Sequence, residues 1–144
     1  MEEIWKPVPS CPGMTASSLG FIRLPERAIE TPSGGVSWVT TRPRRGVKTR
    51  ASKTARHYFY GIYVRAYGNK KVHRLVCEAF HGPAPFPRAV VIHLDEDALN
   101  NTAENLRWGT QKENLNMPGF RAFCQSRVGE KSAWAKHRRG KVDV

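Results

Sequence analysis

Acidic residues are scarce in this chain. There are 12 Asp and Glu against 24 Lys and Arg, a formal charge of +12 over 144 residues. That balance is the footprint of a polyanionic partner, because neutralising phosphates drives non-specific affinity. A solvated basic surface or packing against structural RNA would give the same number, so charge alone does not choose. Cysteine is also sparse: Cys11, Cys77 and Cys124 are odd in number and form no CxxC pair. A disulfide framework and a structural zinc site are therefore not expected, and a reducing cytoplasm is the natural home. No apolar run approaches membrane-spanning length, and the acidic, Trp-containing start is unlike a signal peptide. At this length the chain holds one domain or two very small ones.

What is present is concentrated in AVVIHLDEDALNNTAENLRWGTQKENLN, residues 89–116. Val90, Ile92 and Leu94 alternate with Val91, His93 and Asp95, which predicts a strand with an apolar face and a face carrying the histidine and an acid. Asp95, Asp97, Asn100 and Asn101 supply turn chemistry, since Asn and Asp bond their own backbone and tolerate the left-handed region. Leu106 and Trp108 flank Arg107 in a second short strand. Thr110 followed by Glu113 is a capping-box pattern, which puts Asn114 in the first turn of a helix facing back toward the hairpin.

These residues resemble an HNH endonuclease, of the His-Me finger or ββα-metal class, in its His–Asn–Asn form. The resemblance implies that His93 is the general base and Asn114 the helix residue that binds a divalent metal, Mg²⁺ or Mn²⁺; Asn105, the middle asparagine, joins His93 in the catalytic set by fixing the loop or the imidazole, or else is only a turn or cap residue. It extends upstream. EIWKPVPSCPGMTASSLGFIRL, residues 3–24, is similar to the module that often precedes HNH in phage and intron-encoded homing-type nucleases, and VHRLVCEAF, residues 72–80, resembles the helix that leads into the HNH unit. The class implied is α+β: a small antiparallel β module, a helix, a ββα-metal unit and a basic C-terminal extension. The divisions expected are 1–56 (β module with a basic loop), 57–118 (the nuclease domain) and 119–144 (the tail).

In chain order, Trp5 and the Pro7, Pro9, Pro12, Gly13 punctuation suggest a small turn-rich module with Trp5 as a packing anchor. Pro32–Gly35 signals a turn before a strand at 36–41. Residues 42–56 carry seven basic residues and no acid, which reads as a loop that tracks a DNA backbone through Arg44, Arg45, Lys48, Arg50, Lys53 and Arg56. HYFYGIYVRAY, residues 57–67, is the clearest strand, with Gly68–Asn69 as its turn and most of its tyrosines expected in the core. A helix over 73–80 should bury Leu75, Val76, Ala79 and Phe80, stop at His81–Gly82 and be closed by Pro83. A histidine at a helix start is usually a structural group, so His73 is left out of the active site. Too short to be stable alone, the hairpin and its helix should pack Val90, Ile92, Leu94, Leu106, Trp108 and Leu115 against Leu75, Val76 and Phe80. Further phosphate contacts are expected from Lys70, Lys71, Arg107, Lys112 and Arg121. GEKSAWAK, residues 129–136, resembles the opening of a C-terminal DNA-binding motif of some relatives, and the tail reads as a phosphate-binding extension.

The chemistry expected is hydrolysis of a phosphodiester in double-stranded DNA, with no membrane and no obligate protein partner. A neutral imidazole is suited to deprotonating water near neutral pH. A hard divalent ion held by few protein oxygens suits the leaving oxygen. One departure from the family pattern stands out: relatives commonly carry a metal-binding acid immediately before the histidine, where this chain has Ile92. Asp95, nominally on the face of His93 but about 6–7 Å along the strand, is either a substitute metal ligand or a turn residue. The alternative function is a basic nucleic-acid-binding protein that keeps the fold without the catalysis.

Overall fold

Proline and glycine cut the first 25 residues into very short strands. In the computed structural model, which describes residues 2–126, these are β1 (Trp5–Pro7), β2 (Thr15–Ser17) and β3 (Ile22–Arg23), an antiparallel sheet in the order β1-β2-β3. Next comes a separate hairpin of β4 (Arg27–Glu30) and β5 (Val36–Val39), turned at Thr31–Gly35, where Trp38 is exposed. A second three-stranded sheet follows, with β6 (Val47–Thr49), β7 (Phe59–Val64) and β8 (Gly68–Lys71) in the order β6-β7-β8.

Val72 to His81 form α1, the hub of the molecule. Its Val72, Leu75, Val76 and Cys77 are buried, and it packs against β1, β2, β7, β8, β9 and β10, the last two being Val90–His93 and Leu106–Gly109. Gly82 ends it at φ 82°, a conformation that glycine adopts without a Cβ penalty, and Pro83 prevents continuation. One hydrophobic cluster joins Val8, Cys11, Met14, Ala16 and Ile22 of the N-terminal sheet to the helix, to Ile62 and Val64, and to Val91 and Leu106. Polar clamps reinforce it. Glu78 accepts from the backbone N–H and the hydroxyl of Ser10 at 2.7 and 2.8 Å, and the Tyr67 hydroxyl donates to the Pro12 carbonyl.

Residues up to Gly109 form one compact unit and Thr110 onward a second. In the second, Thr110 and Glu113 close the capping box at the start of α2 (Gln111–Leu115), and Pro118 opens α3 (Pro118–Ser126). Pro118 is accepted there because a first-turn residue needs no amide hydrogen.

Several expectations are corrected. Residues 42–56 are not wholly loop: Val47–Thr49 pairs with Phe59–Gly61 as an edge strand, since β7 has a free backbone edge to satisfy. The strand expected to Tyr67 ends at Val64, the turn is made by residues 65–67, and Gly68–Asn69 lies inside β8. Tyr58 and Tyr63 are exposed, while Tyr60 and Tyr67 pack on the core. Leu94 and Leu115 are exposed rather than buried. The β9 strand is covered on both faces, so Val91 and Ile92 are both buried and strict alternation fails. The expected phosphate-binding tail beyond Ser126, including the 129–136 motif, lies outside the described residues.

Candidate active site

His93 ends β9 opposite Leu106 of β10, in the register Leu106↔His93 and Trp108↔Val91. Its ring is therefore on the face of Val91, as the alternation predicts, and that face is turned toward α1. There it meets His73 in the first turn of α1, the two rings lying edge to face with centroids 5.4 Å apart, and Phe59 stands edge-on beyond His73. On the other side, His93 Nε2 lies 3.0 Å from Asn101 Oδ1. An amide oxygen can only accept, so Nε2 carries the hydrogen and Nδ1 keeps a free lone pair. Burial holds the His93 imidazolium below its ordinary range, against the opposing effects of the Asn101 bond, Asp95 and Asp97. The ring is therefore neutral near pH 7.

The loop between the strands is built on asparagine and aspartate. Asn105 is buried, and its amide is fully used: Oδ1 accepts from Asp95 N at 2.9 Å, and Nδ2 donates to Asp95 Oδ1 and to the Asn100 carbonyl, each at 2.8 Å. The Asn105 carbonyl also accepts from Leu94 N. These bonds staple the two ends of the loop and go to the loop, whereas the imidazole is held by Asn101. The Asp95 carboxylate accepts from Asp97 N, Asn105 Nδ2 and, through Oδ2, Asn100 Nδ2. The Asn100 bond, with further support from Asp97 and Asn105, holds its acid below the usual carboxylate range despite opposing desolvation. Glu96 takes a positive φ of 62° at the tip.

Asn101 and His73 are the site residues that the sequence does not single out. Asn101 reads there only as turn chemistry, and nothing in the local pattern separates it from Asn100; its role emerges only once the staple folds the loop back on β9. His73 is a half-buried neutral imidazole whose Nδ1 is shielded from solvent without a partner among the described residues, and desolvation, with His93, Lys71 and Arg74 nearby, takes it down to about 3. Asn101 Nδ2 is likewise buried without a partner there. Each such group costs about 1–3 kcal/mol, and such costs collect at functional sites.

The oxygens around this loop are hard donors, a carboxylate and amides, which fit Mg²⁺ or Mn²⁺ and not a thiolate-seeking ion. Asp95 retains acceptor capacity on Oδ2 beyond the single bond from Asn100. Ile92 is fully buried on the strand face opposite His93. Asn114 lies in α2, in the second unit, and is half-buried.

The basic residues expected at DNA are spread over several elements. Arg44 pairs its backbone with Ile22, and its side chain is exposed. Arg45 lies over the Phe21 ring at 5.1 Å. Lys48 and Arg50 share the Tyr58 ring at 4.9 Å each, and Lys71 covers Phe59 at 5.3 Å. Lys53 and Arg56 follow β6, Lys70 is in β8, and Arg107 is in β10. Lys112 and Arg121 are exposed on α2 and α3 of the second unit.

Comparison with known proteins bears on these residues. Residues 70–116 match the family model described as HNH endonuclease. A protein of Acanthamoeba polyphaga mimivirus named as an uncharacterized HNH endonuclease, L247, is 36% identical over 69 residues; the match covers 44% of this chain, which spans only 17% of that curated relative. A solved structure described as DNA binding and cleavage by the HNH homing endonuclease I-HmuI is similar over 89% of this chain and 67% of that chain, with 26% identity and a TM-score of 0.48. Among the described residues no helix is long and apolar enough to cross a membrane.

Proposed function

We propose that this chain is a divalent-metal-dependent DNA endonuclease with His93 as its general base, a reading supported by the match of residues 70–116 to the HNH endonuclease family model. The observation that carries the reading is the neutral His93 ring, whose Nε2–H is held by Asn101 and whose Nδ1 is free to accept a proton.

In this mechanism, Nδ1 of His93 takes a proton from a water. The hydroxide attacks phosphorus in line, a new P–O bond forms, and the opposite P–O bond breaks with its electron pair on the leaving oxygen, which takes a proton from solvent water as the strand end is released; His93 then gives its proton back to solvent. Asn105 serves by keeping the loop closed, so that β9 ends in a fixed place. Asn114 would supply an amide oxygen to a bound ion. Asp95, the other candidate ligand, has a carboxylate that accepts from three N–H donors, which favours a role in holding its own loop. A bound Mg²⁺ or Mn²⁺ would supply stabilisation of the charge on the leaving oxygen. Arg44, Arg45, Lys48, Arg50, Lys53, Arg56 and Lys71 would neutralise backbone phosphates, with Lys70, Arg107, Lys112 and Arg121 adding to them. We place the activity with homing-type enzymes that nick double-stranded DNA, in the cytoplasm of the cell that holds the DNA.

The test is conversion of supercoiled plasmid with Mg²⁺ or Mn²⁺, against EDTA. An open circle identifies a nick and a linear product a double-strand cut; no conversion with either ion rejects the reading. The second reading, a DNA-binding protein without catalysis, is favoured by one observation. The position where relatives carry an acid is Ile92, and it is fully buried. Retained plasmid binding with no cutting would establish it.

A further inference from the structure

We infer that the Ser17–Gly20 turn of the N-terminal module is a positioning element for the His93 imidazole, acting through Asn101. The turn lies outside residues 70–116, yet it sits directly on the loop that holds the ring.

Gly20 has a φ of +92°, and a Cβ there would lie 2.9 Å from the Asn101 carbonyl oxygen and 3.1 Å from both its carbonyl carbon and its Cβ. Only a residue without a side chain allows so close an approach. Two residues earlier, the Ser18 carbonyl accepts from Ala103 N at 2.9 Å, so the turn holds the chain both at Asn101 and two residues past it. The turn is itself rigid. Buried Ser17 accepts through Oγ from Leu19 N and Phe21 N at 3.1 and 3.2 Å, and Ser18 exchanges bonds with Ile4 beside β1.

Asn101 has little else to fix it. It is 4% exposed, its Oδ1 accepts from His93, and its Nδ2 has no partner among the described residues. Side-chain hydrogen bonds on both ends would have pinned the amide whatever lay behind it. With one bond only, the contact from the Gly20 turn decides where the amide sits, and the amide decides which ring nitrogen of His93 carries the hydrogen. This inference rests on the reading of His93 as the general base, but its first readout needs no DNA.

The experiment compares Gly20→Ala with Gly34→Ala. Gly34 has a φ of +83° and nothing within 4 Å of its would-be Cβ, so it reproduces the backbone strain without the collision. Asn101→Leu removes the acceptor at similar size, and Asn101→Asp keeps it. The ring ¹⁵N shifts of His93 are read in each protein, together with the single-turnover nicking rate at saturating plasmid and the Kd for DNA. The parent and Gly34→Ala should show one tautomer, hydrogen on Nε2. In Gly20→Ala and Asn101→Leu the tautomers should mix and the rate fall about tenfold to a hundredfold, the scale of a small misplacement of a reacting group, with Kd unchanged. Asn101→Asp should recover part of that loss.

If Gly20→Ala does not fold, Ser17→Ala decides, because it loosens the turn by removing two hydrogen bonds without adding an atom; the same drift toward mixed tautomers is expected, smaller in size. Unchanged His93 nitrogen shifts in folded Gly20→Ala or Ser17→Ala, or in Asn101→Leu, overturn the inference. Shifts that respond as expected in a chain that never cuts DNA leave the positioning in place and reject the endonuclease reading instead.

Discussion

His93, Ile92 and His73 are three residues whose environments set three different expectations. Replacing His93 by Ala should abolish plasmid cutting while leaving the Kd for DNA within about twofold, since affinity resides in the scattered Lys and Arg. Parent-like cutting by that variant would remove His93 from the mechanism. Ile92 poses the sharper question, because a carboxylate there would restore the acid relatives commonly carry. Its complete burial decides against a simple gain: an unpaired carboxylate shut off from water there should cost more than about 3 kcal/mol. Ile92→Asp is therefore expected to melt early or to fail to fold. A variant as stable as the parent that cuts at lower Mg²⁺ would show instead that the position is a missing ligand. His73 gives a pH signature. Its folded-state value of about 3 lies below 6.5, so the unfolded chain binds a proton that the folded chain refuses. Above pH 6.5 neither state is protonated and nothing is lost; as pH falls from 6.5 toward 3, stability drops by up to about 1.4 kcal/mol per pH unit. Thermal melting between about pH 7 and pH 5 should show the decline, and His73→Phe should flatten it.

At the scale of elements, the β9–β10 hairpin and the β6 edge show what a sequence can and cannot convey. The capping box at Thr110 and Glu113, the helix over residues 72–81 and its stop at Gly82 were legible, because local chemistry alone decides a cap, a 3.6-residue period and a chain break. His93 on a short strand, on the face of Val91 and opposite Ile92, was legible too, although the strand stops at His93 and does not run on to Asp95. That α1 covers this face was not, since a strand covered on both sides shows no clean apolar alternation, and the Asn101 bond depends on a loop that Asn105 and Asp95 hold closed. In the basic segment, charge hid a strand: Val47–Thr49 pairs because β7 offers an edge, a fact held by residues 59–61 and not by residues 47–49. That strand changes the physical picture of the proposed DNA contact. Lys48 and Arg50 are steadied on Tyr58, and so lose less side-chain freedom on meeting phosphate than a wholly unstructured loop would. Neutralising Arg44, Arg45 and Lys48 should weaken binding to all sequences alike and flatten the salt dependence by about 0.9 log unit of slope for each phosphate the variant no longer neutralises. A salt slope equal to the parent's would take this edge out of the interface.

At the scale of the whole molecule, the family match and the hydrophobic core do not share boundaries. The match covers residues 70–116, but the cluster that buries α1 includes Val8, Cys11, Met14, Ala16 and Ile22, several of them without any solvent exposure. Glu78 and Tyr67 reach back to Ser10 and Pro12, and the Ser18 carbonyl takes the Ala103 amide hydrogen. Removing residues 2–56 would strip the apolar cover from one side of α1 and leave these partners to solvent. Each large aliphatic side chain uncovered costs about 1.5–3 kcal/mol, so losing even the packing of Met14 and Ile22 would approach the whole stability of a domain of this size. A chain beginning at His57 is therefore expected to lack a cooperative thermal transition, to show collapsed amide dispersion in its NMR spectrum, and to cut no plasmid even though His93, Asn105 and Asn114 are all present. Circular dichroism melting of the shortened and full chains side by side tests this. A cooperative transition in the shortened chain within about 5 °C of the parent would mean that the matched segment carries its own core, and that the N-terminal sheet is only an attachment to it.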